Sequence, residues 1–410
     1  MSQGDQKKRN EGKKEEVRED LSRGHVPQDE DARLAEAEES AATEIFHPSP
    51  LPRPSIPGEE SENPHAENQE VPPAKSSQGY WKLVGRQFRK NRPAVFGAII
   101  IALIALVAIF ADFLANDRPI VCKYQGEVYF PVIQDYFGDL QLSGEVGWKD
   151  LDYDWAVWPP IPYASSNNDL DYSFTAPFDD GDHSHLLGTD QLGRDLLAGI
   201  IHGARISLLI GIVAMGIATI IGVLLGALAG FFGGWVDMVI SRLIELFLNF
   251  PVFFLIITIV AFYQDQEPNS LIFMIMAVIG LTGWMGIARL TRGEVLRVRN
   301  MEYVTAAGAV GFPSGRVIMR HVLPNSLAPV LVAVAFGIAS AILTEAALSF
   351  LGFGVPPTIV TWGSMLSEAR GNVYAWWLAI FPGIMIFLTV LSYNLVGDGL
   401  RDATDPRLKI

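Results

Sequence analysis

The amino-acid sequence predicts an all-α membrane protein with six transmembrane helices, and three observations carry that expectation. The first is a composition at odds with itself: 50% of the 410 residues are hydrophobic, yet the formal net charge is −14. A soluble domain rarely holds both, so the charge must be kept apart from the apolar material. The second observation is that it is. Residues 1–79 hold ten Lys and Arg against eighteen Asp and Glu, residues 115–203 hold four against fifteen, and the remainder is left at +5. The third is that this remainder contains six apolar runs of about the 20 residues that cross a hydrocarbon core.

Taken in order, residues 1–79 are rich in Glu, Lys, Pro, Ser and Asn and nearly free of aromatics. They bury too little apolar surface to offset chain entropy, so a disordered acidic tail is expected. Over residues 80–93, Trp81, Val84 and Phe88 recur at helical spacing among Lys82, Arg86, Arg89 and Lys90, and Pro93 closes the segment. This predicts a short amphipathic helix on an anionic membrane surface, weakened by Gly85. The first span covers 94–114. A highly charged stretch precedes it, so it is expected to act as its own uncleaved insertion signal.

Residues 115–205 form the acidic connection, with aromatic and proline-rich pieces at Tyr124 to Pro131 and Trp158 to Pro162. A small cap is expected there. Residues 206–397 hold spans two to six, at 206–229, 236–262, 271–290, 328–351 and 375–396, with a polar loop at 291–325. Arg242, Glu245 and Pro251 interrupt the third span, which predicts a helix that kinks at the proline. In span two, Gly222, Gly226 and Gly230 form a strip on which a neighbouring helix can close, and packing inside the subunit is the expected use. Residues 398–410 form the C-terminal segment.

Lys and Arg set the orientation. Lys82, Arg86, Arg89, Lys90 and Arg92 precede span one. Arg292, Arg297, Arg299, Arg316 and Arg320 lie between spans four and five, and Arg401, Arg407 and Lys409 follow span six. Alternation across six spans puts all three clusters on one side, so both termini are expected in the cytoplasm and residues 115–203 outside.

Little in the chain suggests covalent chemistry. Cys122 has no cysteine partner, and no Cys/His spacing suggests zinc. The run Asp179-Asp180-Gly181-Asp182-His183-Ser184-His185 could hold a divalent metal or be a solvated acidic loop; without a further ligand cluster the expectation is no metal and no cofactor. No nucleophile elbow, phosphate-binding glycine loop or zinc-protease motif occurs. No nucleic-acid partner is expected. The loop at 291–325 is different. From Glu302 to Gly311 it places small residues at Ala306, Ala307 and Gly308, a nearly bare helix face, before a turn at Gly311 and the pair Leu323-Pro324. Such a face suits docking into another protein's groove. Because the chain has no nucleotide-binding sequence, the energy would come from a partner ATPase.

That loop resembles the cytoplasmic loop of ABC-importer permeases, Glu-Ala-Ala, then Gly, then an apolar-x-Leu-Pro ending. Here Thr305 stands where the family usually has glutamate, which removes the salt bridge that glutamate would make. The runs Leu187 to Asp195, Gly203 to Leu208, Glu345 to Gly352, Trp362 to Leu366 and Asn394 to Asp402 with Asp405-Pro406-Arg407 resemble the dipeptide/oligopeptide importers. The likeness covers about residues 80–410 and is greatest to the C-type permease with a long outer loop. It implies the type I ABC importer permease fold in the membrane of a prokaryote. It also implies a sister permease, two cytoplasmic ATPase subunits, an external solute-binding protein and a peptide substrate.

The resemblance gives Glu302, Thr305, Ala306, Ala307, Gly308, Gly311, Leu323 and Pro324 to the ATPase-coupling loop. Asp190, Arg194, Asp195, Asp398 and Arg401 are expected to be structural. Glu345, a carboxylate in an apolar span, either faces the translocation path or gate or snorkels to the interface. Three alternatives remain: a permease for nickel or another small solute, an ATP-independent channel or secondary transporter, and a membrane-anchored enzyme built on residues 115–203.

Overall fold

A computed structural model describes residues 80–137, 148–178, 185–263, 267–356 and 358–404. The expected disordered tail at 1–79, His183 and the last six residues lie outside the described residues. The first helix, α1 (Tyr80–Phe88), is short and two-faced. Val84 is buried, and Phe88 lies so close to the last turns of the final helix that a β-carbon at Gly399 would meet its ring at 3.2 Å. Asn91 then starts α2 (Arg92–Ile109): its side chain accepts from the Ala94 amide at 3.2 Å, and Pro93 sits in the first turn, where its missing N–H costs nothing.

A one-turn helix α3 (Ala111–Leu114) leads into a small sheet that no periodicity in the sequence announces. Strands β1 (Val121–Tyr124), β2 (Glu127–Tyr129) and β3 (Trp155–Val157) run antiparallel in the order β2-β1-β3. Gln125 and Gly126 form the two-residue hairpin loop, both at positive φ, which matches the twist of the paired strands. Helix α4 (Pro131–Phe137) follows β2. Ile161 ties this region back to α3 through mutual backbone bonds with Leu114 and Asn116, both 3.1 Å.

The bundle proper consists of α2, α5 (Leu196–Phe232), the pair α6 (Gly234–Leu248) and α7 (Val252–Phe262), and α8 (Pro268–Arg299). After α8 come α9 (Glu302–Ala309), α10 (Ser314–Val317), a π turn at Ile318–Val322, and α11 (Leu323–Phe350). Helices α12 (Trp362–Gly371) and α13 (Trp377–Thr404) complete the described chain. Among the described residues, five helices are long and apolar enough to cross a membrane, six when the α6/α7 pair counts as one span. At Pro251 the pair does more than kink: it breaks, bending by 76°.

Helices α5 and α8 meet along the glycine strip. A β-carbon at Gly222 would lie 2.7 Å from the Ile287 Cβ, and one at Gly226 would lie 2.5 Å from the Ala288 carbonyl. The strip is spent inside this chain, which lets two backbones touch where lipid supplies no drive for association. Towards the α12 end the core gathers around the buried Trp362, with Leu196, Ile200, Ile342 and Leu378.

Candidate functional site

At one end of the bundle, α9 is seated by its own sequence. Val304 and Ala307, one turn apart, are buried against Val295 and Val298 of α8, Ala227 of α5, and Val322 and Leu323. The opposite face is open. Glu302, Tyr303, Thr305, Ala306 and Gly308 are exposed, as are Val310 (75%) and Phe312 beyond them. Ala307 therefore does not share a bare outer face with Ala306 and Gly308. Neighbouring helix residues point about 100° apart, and here it is Ala307, between the two, that turns inward.

The helix ends in a Schellman motif: the Gly311 amide donates to the Gly308 carbonyl (2.9 Å) and the Phe312 amide to the Ala307 carbonyl (3.2 Å). Gly311 stands at φ +89°, where any side chain is strained. Pro324 is exposed, in the first turn of α11, and Leu323 is buried. Just before α9, the Arg299 guanidinium donates to the Phe231 carbonyl at 2.7 Å and so caps the C-terminus of α5. Arg292 grips Asp237 of α6 with two donors, one of them at 2.7 Å.

At the other end, the segment leading into α5 is held by charge. Asp195 is the N-cap: its Oδ1 accepts from the Ala198 amide (2.7 Å) while Oδ2 meets His185 Nδ1 (2.8 Å). Asp190 accepts from the Leu192 and Arg194 amides (2.8 and 2.9 Å) and from Arg194 Nε (2.5 Å). Arg194 Nη2 reaches on to Glu368 of α12 at 2.6 Å. Burial, and then the nearby Asp190 carboxylate, pushes Glu368 up to about 7 despite Arg194. Trp377 Nε1 donates to the Thr189 carbonyl (2.9 Å), which fastens α13 to the same segment.

Glu345 is only 1% exposed, enclosed between α11 and α12. Its Oε1 accepts from Ser349 Oγ (2.8 Å) and Thr361 Oγ1 (2.9 Å), and Thr361 is also the N-cap of α12. The carboxyl neither snorkels to an interface nor lines an open path in this arrangement; it ties α11 to the start of α12. Asp398 and Arg401 lie on exposed turns of α13, whose end is tied to α2 by Asn91 Nδ2 donating to Asp402 at 3.0 Å. Among the described residues, no three His, Cys, Asp or Glu side chains gather as a metal site.

Residues 222–410 match the family of binding-protein-dependent transport system inner membrane components, and residues 79–126 match the N-terminal transmembrane domain of oligopeptide transport permease C. The dipeptide transport system permease protein DppC of Alkalihalophilus pseudofirmus is 35% identical over 330 residues, 80% of this chain and 90% of that one. The chain belongs to the dipeptide/oligopeptide ABC permease family. Two further relatives are the di/tripeptide transport system permease protein DppC of Pseudomonas aeruginosa and the inner membrane ABC transporter permease protein YejE of Escherichia coli. The first is 44% identical over 60% of this chain and 81% of that one, the second 34% identical over 78% and 95%.

The protein is thus a multi-pass permease subunit of an ABC importer. Several residues that shape both ends of this permease were not singled out in the sequence: Glu368, Asp237 and the Asp112–Arg205 pair (2.7 Å). Each charge stands in or beside an apolar run, which is a signal in itself. Their partners lie far along the chain, and no window of sequence pairs them.

Proposed function

We propose that this permease imports peptides, pairing with one sister permease and coupling to two cytoplasmic ATPase subunits through α9. The relatives' names, dipeptide and di/tripeptide transport, support the substrate class. One observation carries the coupling: α9 is rooted by Val304 and Ala307 in a cluster that joins α5, α8 and the start of α11, while its other face is open. A push on that face reaches three long helices at once. Ala306 and Gly308 leave room for a groove to close, and the exposed Tyr303, Val310 and Phe312 offer it apolar contact.

The three Lys/Arg clusters support cytoplasmic termini and a cytoplasmic α9, with the sheet and α12 outside, where a solute-binding protein delivers substrate. Glu345 is gate-adjacent in this reading: it joins span five to α12, and Asp190, Arg194 and Asp195 fix the lead-in to α5. Asp398 and Arg401 are structural, on the last turns of α13.

Two measurements test the coupling. A cysteine at Gly308 should crosslink to the ATPase partner in intact complex. Ala306→Trp, on the open face, should leave the subunit inserted while abolishing uptake and unlinking ATP hydrolysis from the binding protein. Normal uptake by Ala306→Trp, or a crosslink only to lipid, would refute the assignment. An ATP-independent transporter would co-purify with no ATPase.

A further inference from the structure

An antiparallel sheet with one face in water ordinarily turns its apolar side chains inward and its polar ones out. The small sheet between α3 and α5 does only the first. On its inner face Cys122 is fully buried between Tyr129 and Ala156, and the Tyr124 ring meets Tyr153 edge-on at 6.2 Å. The outer face is apolar as well. Lys123 pairs with Val128 on one side and Trp155 on the other, and Val121 pairs with Val157 in the next row. Val128, Trp155 and Val157 are half exposed, as is Phe130, two residues beyond Val128. A contiguous apolar face open to water marks a surface that another molecule covers.

Charge and size define that molecule. Lys123 stands in the middle of the face, its ammonium 3.8 Å from Asp154, and Asp152 and Glu127 are exposed at the sheet's margins. Residues 115–203 together hold four Lys and Arg against fifteen Asp and Glu. Such a surface repels anionic lipid headgroups and draws in a partner whose contact face carries Lys and Arg. Permanent subunit contacts bury more than about 2,000 Å² and are apolar at the centre. Three short strands with a charge in their midst suit a partner that binds and leaves.

The sheet is also joined stiffly to a span. β3 runs on into Trp158-Pro159-Pro160-Ile161-Pro162-Tyr163, where three prolines fix the backbone. Ile161 is tied to α3, and the Tyr163 ring lies against His185, centroids 4.4 Å apart. His185 in turn meets Asp195, the N-cap of α5, at 2.8 Å. A load on the sheet therefore reaches the start of α5.

We propose that the outer face of the β2-β1-β3 sheet is the docking surface for the solute-binding protein, whose apolar contact residues inside a basic rim meet Trp155, Val157 and Val128, and that residues 158–163 pass the docking load to α5. This rests on the peptide-import reading and adds to it the place where the external partner lands.

The test puts a photo-crosslinking amino acid at Val157 in cells that carry the whole transporter, and identifies the adduct by mass spectrometry. A solute-binding protein is expected. Purified and loaded with Ala-Ala, that protein should stimulate ATP hydrolysis by the permease complex in lipid nanodiscs. Trp155→Ser should raise the concentration needed for half-maximal stimulation at least about tenfold, with basal hydrolysis and subunit amount unchanged. Tyr163→Ala should leave that concentration alone and lower the maximum. An adduct with the sister permease or lipid only, no protein adduct, or parental stimulation of Trp155→Ser would overturn the docking surface; a parental maximum in Tyr163→Ala would overturn the transmission. Uptake of Ala-Ala by cells is measured in parallel. Normal uptake without the adduct sinks the surface alone, whereas cells that import no peptide sink the substrate reading itself.

Discussion

Glu368 shows how one residue's surroundings set a solution property. Its folded value of about 7 stands above the ordinary 4.5, chiefly because burial opposes the charged form. Between those values the folded state binds the proton more tightly than the unfolded chain does. Its contribution to stability is therefore complete below about pH 4.5, declines as pH rises towards 7, and is flat above. Thermal unfolding of the purified complex from pH 5 to 8 should show that decline, and Glu368→Gln should remove it. Equal slopes in the two proteins would assign the decline elsewhere. Around α9 the contrast is steric. Ala307→Leu forces a larger group into a filled seat and should cost about 1–3 kcal/mol, seen as a lower melting temperature. Ala306→Leu, on the open face, should melt within a degree or two of the parent. Gly311→Ala places a β-carbon at φ +89° with open space around it, so its cost is the backbone term of about 1–2 kcal/mol.

At the scale of the element, the α5/α8 seam makes the sharpest demand. A β-carbon at Gly226 would fall 2.5 Å from the Ala288 carbonyl and 2.7 Å from the Thr291 Cβ, both on α8, so it fits only if the helices part. Gly226→Val should leave little subunit in the membrane by immunoblot, whereas Gly216→Ala, with nothing within 4 Å, should accumulate normally. Equal amounts of both would mean that the seam tolerates separation. The glycine spacing and an interruption at Pro251 were legible, the latter as a kink and not as the 76° break, because each is written within a few neighbouring residues. The start of α5 was not. His202 and Arg205 interrupt the apolar run, which suggests a span from 206, yet the helix begins at Leu196. The reason is tertiary: Arg205 Nη2 donates to Asp112, 93 residues earlier, and His202 bonds the Ala115 carbonyl at 2.7 Å. Arg194 and Glu368 are 174 residues apart and equally unreadable as a pair.

For the whole molecule, the long-range facts that were legible are the number of spans and the segregation of charge, because hydropathy and Lys/Arg counts need no knowledge of contacts. Orientation is the consequence of that charge that remains to be measured. The two ends offer suitable reporters. Val310, beyond α9, is 75% exposed, and Tyr374, between α12 and α13, is 92% exposed. Cys122 has no exposed surface, and burial holds its thiol above its ordinary range, so it should react slowly with a charged maleimide. Replacing it by alanine gives a background without thiols, since it is the single cysteine of the chain. In that background, a cysteine at Tyr374 should be blocked by a membrane-impermeant maleimide added to spheroplasts, while one at Val310 should react only in inverted vesicles. The same result places both termini with α9, because six spans separate them in even number. Labelling of Val310→Cys from outside would invert the protein, and an ATPase in the cytoplasm could then not reach α9 at all.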